Sequence, residues 1–240
     1  MRIGFEKDEL RSRYDVQAFA EDSWHLFCGQ RMREIVQSVL SSRKLELGRV
    51  LNAGCGVYSL GLAGWSEVAV DLFESPLNGR QDAVCADLRS LPFDCSSFQA
   101  VVCVGEVIGY CDPQLVFPEF NRVLQGSGVL ICDFGSSTSL RHLRRSSYGR
   151  QADLIVDTYN GSDEKVWIYH PEFIRRLLKH SGFSVSGEFG THTWSALARS
   201  FGISPSTATV IERRLGWLRL ARHNSDVVTI VAVKIEDAKG

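Results

Sequence analysis

The sequence predicts one α/β domain built around a doubly wound, mostly parallel sheet, and three observations lead there. Short apolar runs separated by Gly, Asp and Pro follow one another from Arg49 onward. The first of them runs directly into a glycine-rich turn. A late helical segment and two further apolar runs then continue the alternation of strand and helix patterns. At 240 residues the chain is long enough for one sizeable core with a small lid, and short for two cores. Its 44% hydrophobic and 23% charged content is that of a chain that buries a real core.

Residues 5 to 45 carry helical periodicity. Phe19, Leu26 and Phe27, then Met32, Ile35, Val36, Val39 and Leu40, recur at intervals near three and four among charged neighbours. One or two amphipathic helices are therefore expected ahead of the sheet, as an N-terminal lid over 1–47. The runs VLNAG, EVAVDLF, DAVCADL, FQAVVCVG and GVLICDF have strand length and read as buried parallel strands, which makes 48–134 the core.

The stretch from Phe134 to His170 is too long for a simple crossover. Within it ADLIVDTY and KVWIYH flank Asn160-Gly161, a dipeptide suited to a tight turn, so a hairpin inserted over the sheet is expected at 135–170. PEFIRRLLKHSGF, with Pro in its first turn and Gly182 past its end, reads as a helix feeding the strand FSVSGEF. VVTIVAVKI closes the sheet. In the C-terminal part, 171–240, an insertion at 191–226 holds Trp194, Leu197, Phe201, Ile211, Leu215, Trp217 and Leu218, and is expected to be helical and to cover a pocket. No repeat, heptad array or interdomain linker is visible.

A formal net charge of -1 gives no overall attraction to phosphate backbones or anionic membranes, so small molecules are the expected partners rather than nucleic acid. The segment MRIGFEKDELRSRYD lacks the apolar centre of a signal peptide, and no apolar run approaches the ~20 residues of a bilayer span. The expected compartment is the cytoplasm. Seven cysteines is an odd number, and Cys85, Cys103 and Cys132 lie at or near the ends of apolar runs, which suits reduced thiols packed as small hydrophobes. None forms a C-x-x-C pair, and no metal site is expected.

The residues that carry chemistry begin with Val50-Leu51-Asn52-Ala53-Gly54-Cys55-Gly56, a strand running into a turn, followed by a segment able to start a helix. Without Cβ atoms, Gly54 and Gly56 let the backbone turn sharply and approach a ligand closely, although G-x-G alone also fits a tight turn with no ligand. Asp71 closes the run EVAVD seventeen positions after Gly54, where doubly wound nucleotide-binding folds hold a ribose. Asp87 follows the next run and Gly105-Glu106 the one after. Four strand ends thus converge on the carboxyl edge, where open α/β sheets bind ligands.

As an ordered set these parts resemble the class I S-adenosylmethionine-dependent methyltransferases, in particular the small-molecule group called methyltransferase type 11. VLNAGCG is similar to the family's first motif, VAVDLF to its ribose-binding acid and ADLRSLPF to its adenine-binding strand end. FQAVVCVGEVIGYCDP resembles the fourth strand and exit loop, EFNRVLQGSGVLICDF the next helix and fifth strand, and YHPEFIRRLLKHSGF the late helix. The resemblance covers roughly residues 48 to 190.

It implies a Rossmann-like seven-stranded sheet of order 3-2-1-4-5-7-6 with the last strand antiparallel, and S-adenosyl-L-methionine as cofactor. Carried over residue by residue, Ala53, Gly54, Cys55 and Gly56 would face the methionine portion, Asp71 with Leu72 the ribose, and Asp87 with Leu88 the adenine. Gly105 and Glu106 would lie near the sulfonium, and Tyr14 near the donor's carboxylate. Two departures stand out. Where many relatives have a His after the fourth strand, VIGYC has Gly109 and Tyr110, and the paired glycines before the fifth strand are Gly126-Ser127-Gly128.

For the acceptor side, His25 beside Trp24 and Phe27 is the first candidate base and His192 beside Trp194 the second, each with a packing role as the alternative. Trp24, Tyr110 and Trp194 are candidate acceptor contacts, and Trp167 and Trp217 are further aromatics that either line a pocket or belong to the core. His170 reads as a helix-entry residue, and His142, His180 and His223 as surface residues. The basic stretches Arg141 to Arg145 with Arg150, and Arg213-Arg214 with Arg219, read as solvated faces, with an anionic acceptor or RNA as the alternatives.

The expected activity is methyl transfer to a small molecule, an aromatic or other secondary metabolite, at O, N or C. Two alternatives stay open. One is an NAD-dependent oxidoreductase, against which Ser59 stands where that fingerprint expects a third glycine. The other is a donor-binding scaffold without chemistry.

Overall fold

The apolar runs become strands in the computed structural model, which describes residues 3–14, 23–43, 48–159, 162–216 and 224–236. In chain order the strands are β1 Arg49–Ala53, β2 Ser66–Asp71, β3 Ala83–Cys85, β4 Phe98–Cys103, β5 Leu124–Gly135, β6 Ala152–Tyr159, β7 Ser162–Tyr169, β8 Phe183–Thr191 and β9 Val227–Lys234. The helices are α1 Lys7–Tyr14, α2 Ser23–Ser42, α3 Pro113–Val123, α4 Pro171–His180, α5 Thr193–Ser200 and α6 Pro205–Leu215.

Seven strands form one sheet in the order β3-β2-β1-β4-β5-β9-β8. The pairings among β1 to β5 are parallel, and β9 runs antiparallel to both β5 and β8. With the separate β6-β7 hairpin set aside, this is the Rossmann-like order 3-2-1-4-5-7-6 with the last strand reversed. The hairpin pairs antiparallel from Ala152↔Tyr169 to Tyr159↔Ser162, while Asn160 and Gly161 lie outside the described residues.

Alternation along the central strands sends side chains to two faces. Leu51, Val101 and Leu130 pack with Phe117 and Phe120 of α3 and with Ile174 and Leu178 of α4. Val50, Ala100, Val102 and Ile131 pack with Ile35, Val36, Val39 and Leu40 of α2. Because both faces are covered, these strands read as continuous apolar runs. The entry to α3 is capped by Asp112, which accepts from the Gln114 N–H. His170 does the same for α4 through its Nδ1, as expected of a helix-entry residue.

One expectation fails. The segment after the glycine turn does not start a helix: residues 54–65 are turn and loop, and beyond β2 there is only a short 3-10 turn at Ser75–Leu77. Gly56, Gly61 and Gly64 interrupt this stretch at φ +50°, +60° and +81°, which no helical residue adopts. Glu67 organises it instead, accepting from Asn52 Nδ2 (2.8 Å), Ser59 Oγ (2.8 Å) and Leu60 N–H (3.0 Å). Burial of that face falls to α2.

The insertion over 191–226 is helical, as α5 and α6, up to Gly216; Trp217, Leu218, Arg219 and His223 lie outside the described residues, as does Phe19. Among the described residues no helix is long and apolar enough to cross a membrane.

Candidate functional site

The carboxyl edge of the sheet is built from strand ends whose backbone N–H groups are gathered by carboxylates. Gly54 and Cys55 both donate to the Val70 carbonyl (2.8 and 3.0 Å), which ties the turn after β1 to β2. Asp71 then accepts from Gly56 N–H (2.9 Å) and Phe73 N–H (3.2 Å), with only 1% of the residue exposed. Gly54 holds φ +70°, and a Cβ there would lie 2.5 Å from Cγ1 of Val107. The glycine at 54 is therefore required by the loop after β4, which packs directly onto the turn.

That loop is held from the other side by Asp133, an acid on β5 that the sequence reading passed over. It accepts from Gly105 N–H (3.0 Å) and Glu106 N–H (2.7 Å). Burial pushes its carboxyl up to about 6, with the two N–H donors pulling the other way. The signal was present, since Asp133 ends the apolar stretch of GVLICDF as Asp71 ends that of EVAVDLF. Gly105, at φ +90°, has open space where a side chain would be, a gap at the strand edge that a ligand can approach. Glu106 also holds a left-handed conformation, φ +60°, and burial first, then Asp226 and Asp133, push its carboxyl up to about 8.

Asp87 is turned toward Arg89, which donates from Nε (3.0 Å) and Nη2 (2.7 Å). Burial opposes its ionisation, but the Arg89 guanidinium and N–H outweigh burial and hold the carboxyl below its ordinary value. Leu88 is buried in the core, and Leu72 lines a small cleft with Asp87, Tyr110, Gly4 and Phe5. Phe5 donates its N–H to the Tyr110 carbonyl (3.1 Å), so the N-terminal segment lies over this end of the edge. The Tyr169 hydroxyl, at the base of the hairpin, donates to the carbonyls of Ile108 and Cys111 (both 3.3 Å) and clamps the exit loop.

His192 lies beyond the end of β8, 7% exposed and at φ +61°. Its Nδ1 is 3.5 Å from Cys28 Sγ, and Trp24 and Phe27 meet its ring edge-on at 6.0 and 6.1 Å. Burial lowers its pKa, with Glu212 opposing, so the imidazole favours the neutral form. Although His192 is the N-cap residue of α5, its side chain does not cap. Glu212 of α6, another residue unmarked in the sequence, accepts instead from Trp194 N–H (2.8 Å) and Ser195 N–H (2.7 Å). A cavity of about 480 Å³ opens here, lined by Phe27, Arg31, Glu34, Thr191, His192, Glu212 and Arg213 among others, and by none of the glycine-turn residues. Trp194 is half-buried, and its indole Nε1 has no hydrogen-bond partner among the described residues. The side chains of His25 and Tyr14 lie outside the described residues.

Two surface assignments are overturned between these regions. His142 is fully buried, and burial, with Arg141 second, lowers its pKa to about 4. Arg141 is no solvated residue either: its Nε meets Asp226 (2.5 Å) and its Nη1 meets Asp157 (2.6 Å), with 15% of the side chain exposed. The reason is topological, because the 3-10 turn carrying both residues packs against α5 and next to the entry of β9. Trp167 belongs to the core, whereas Arg144, Arg145, Arg150, Arg213 and Arg214 are exposed, as is His180. No cluster of His, Cys, Asp and Glu able to hold a metal occurs among the described residues.

Residues 51–132 match the family model described as methyltransferase domain. A malonyl-[acyl-carrier protein] O-methyltransferase of Herminiimonas arsenicoxydans is 38% identical over 112 residues, covering 42% of this chain and 42% of that protein. The match thus spans less than half the length of this curated relative. Among solved structures, an S-adenosylmethionine-dependent methyltransferase from Clostridium acetobutylicum superposes with a TM-score of 0.61 at 14% identity, covering 95% of this chain and 99% of that one. The glycopeptide N-methyltransferase MtfA complexed with S-adenosyl-L-methionine gives 0.56 at 16% identity, covering 85% and 93%.

Proposed function

Since the chain belongs, through its methyltransferase domain and its fold, to the class I S-adenosylmethionine-dependent methyltransferases, we propose that it transfers a methyl group from S-adenosyl-L-methionine to a small-molecule acceptor. The observation that carries this reading is the convergence, on one sheet edge, of the positive-φ glycine turn, Asp71, and the open face of Gly105.

The residues present fit the donor. Ala53, Gly54, Cys55 and Gly56 would take its methionine portion, Asp71 and Leu72 the ribose, Asp87 and Leu88 the adenine, and Tyr14 the carboxylate. A carboxylate oxygen accepts more than one hydrogen bond, so Asp71 can hold the turn and receive hydroxyls together. When bound, the donor supplies an activated methyl on sulfur. The protein's own part is to hold the acceptor's lone pair in line with that methyl, and positioning alone supplies much of the rate.

We place the acceptor in or beside the cavity at His192, with Trp24 and Trp194 as its aromatic contacts; Tyr110, the third aromatic the sequence suggests, lines a separate cleft with Asp87. At His192 a neutral imidazole is in the state a general base needs. His25 remains the alternative base. An aromatic or other secondary metabolite is the first acceptor class. A second reading, a carboxylate carried on an acyl-carrier protein, follows from the name of the Herminiimonas arsenicoxydans relative.

The test is titration calorimetry with S-adenosylhomocysteine against NAD, followed by methyl-group transfer to aromatic, amine and acyl-carrier acceptors. Micromolar binding of S-adenosylhomocysteine alone supports the donor reading. NAD binding instead would replace it with an oxidoreductase, and donor binding without transfer to any acceptor would favour a scaffold.

A further inference from the structure

Arg31, Glu34, Glu212 and Arg213 bring charge to the walls of the cavity at the end of β8, and the first three have partners. Glu34 of α2 accepts from Gln30 Nε2 (3.0 Å) and from Arg31 Nη1 (2.7 Å), which pairs the acid with the first cation. Glu212 of α6 is committed to the Trp194 and Ser195 N–H groups. Arg213 differs. Its guanidinium carbon lies 5.3 Å over the centre of the Phe27 ring, and no carboxylate or hydrogen bond reaches it among the described residues. A cation held by a ring face commits no N–H group to an acid, so its donors stay available to a planar acceptor.

The same ring supports His192, whose centre is 6.1 Å from that of Phe27. His192 is buried, lines the cavity and meets Cys28 Sγ through Nδ1, while its Nε2 has no hydrogen-bond partner among the described residues. A cationic group and an imidazole, each with donor or acceptor capacity left over, therefore stand on one aromatic side chain. The space between is large enough for a ligand, about 480 Å³. One unpaired cation between two walls that carry acids suits a single negative charge. A phosphate dianion would bring its second charge toward Glu34 and Glu212 with no cation to meet it.

We propose that this cavity binds a small carboxylate, with the carboxyl group on the Arg213 guanidinium, the body against Phe27, and a hydroxyl or amine turned to His192. The inference gives the acceptor proposed above its chemical class. It rests on that reading for the role of the bound molecule and not for the binding itself.

The test is calorimetry with 4-hydroxybenzoate and with 6-hydroxyhexanoate, each against its uncharged amide, and with S-adenosylhomocysteine titrated separately. At least one carboxylate should bind about tenfold or more tightly than its amide, the worth of one charge-assisted pair. Arg213→Gln should erase that preference, and Arg214→Gln, a neighbour that does not line the cavity, should keep it. The His192 ring resonances in NMR should move when the carboxylate binds. Equal binding of acid and amide, a preference that survives Arg213→Gln or one lost equally in Arg214→Gln would overturn the assignment, as would no binding of either acid. Tighter binding of phenyl phosphate than of both acids would replace the carboxylate with a phosphate. S-adenosylhomocysteine binding without carboxylate binding leaves the donor reading standing and sinks this inference, whereas the reverse result keeps the carboxylate site and sinks the donor reading.

Discussion

The two halves of the carboxyl edge are built by opposite rules. On the glycine-turn side the strand-end carboxylates of Asp71, Asp87 and Asp133 are each committed to backbone N–H groups or to Arg89. On the side between β5, the 3-10 turn after it and α5, buried polar atoms stand without partners among the described residues: both ring nitrogens of His142 and the hydroxyls of Ser147 and Ser195. A buried group left unpaired costs free energy, so the first region is a finished backbone scaffold, whereas the second sets the Arg141 ion pairs with Asp157 and Asp226 beside buried polar atoms that no bond stabilises. Substitutions in the two regions should therefore behave differently.

The largest effect is expected at Asp71. Asp71→Ala removes a buried charge-assisted acceptor from two N–H groups and should lower S-adenosylhomocysteine affinity by about tenfold or more, with about 2–3 kcal/mol of stability lost. Calorimetry and urea unfolding measure the two, and an unchanged affinity would mean that the second strand end is not part of the donor site.

Glu212 comes next, a residue outside the glycine-turn scaffold that follows its rule. Glu212→Ala uncaps α5 and should cost about 1–2 kcal/mol, whereas Glu212→Gln keeps an accepting oxygen and should recover most of it. The His192 ring resonances in NMR should move in the Ala variant and much less in the Gln variant. Equal loss in both would assign the effect to charge rather than to the cap.

His142 gives a smaller effect with a defined sign. Its folded pKa, about 4, lies below the ordinary 6.5, so the folded state binds fewer protons than the unfolded chain over that interval. Its contribution is full above pH 6.5 and is lost as the pH falls toward about 4. His142→Leu should be near neutral at pH 7.5, since neither nitrogen has a partner to lose, and should unfold later than the parent in urea at pH 5. Greater instability of the variant at both pH values would reveal a hidden partner.

Ser195→Ala is expected to do least, within about 0.5 kcal/mol in urea unfolding, because its hydroxyl is buried with no bond to break. A loss beyond 1 kcal/mol, roughly the worth of a hydrogen bond, would erase the contrast between the two regions.

Much of the architecture was legible beforehand because period and punctuation carry it. The apolar runs, the turn after Ala53 and the signals around Pro171 and Gly182 each reflect a local requirement, and their order identified the sheet. The helix expected after Gly56 failed because three glycines with positive φ break up the segment that was to start it. Asp133 was legible by the same rule that found Asp71, an acid at the end of a buried run. Glu212 was not, since an acid on an amphipathic helix looks like a solvated residue until another helix end arrives against it.

What the sequence by itself determined is therefore the sheet, its strand order through the family resemblance, and the residues at the strand ends, because those follow from hydrophobic period and from glycine's backbone freedom. Only the tertiary structure decided the environments: that His142 is buried and Arg141 mostly so, that Glu212 caps α5 so His192 need not, and that Asp133 gathers the N–H groups of Gly105 and Glu106. Burial and charge at a side chain are set by neighbours distant in the chain, and no local pattern specifies which of them will meet.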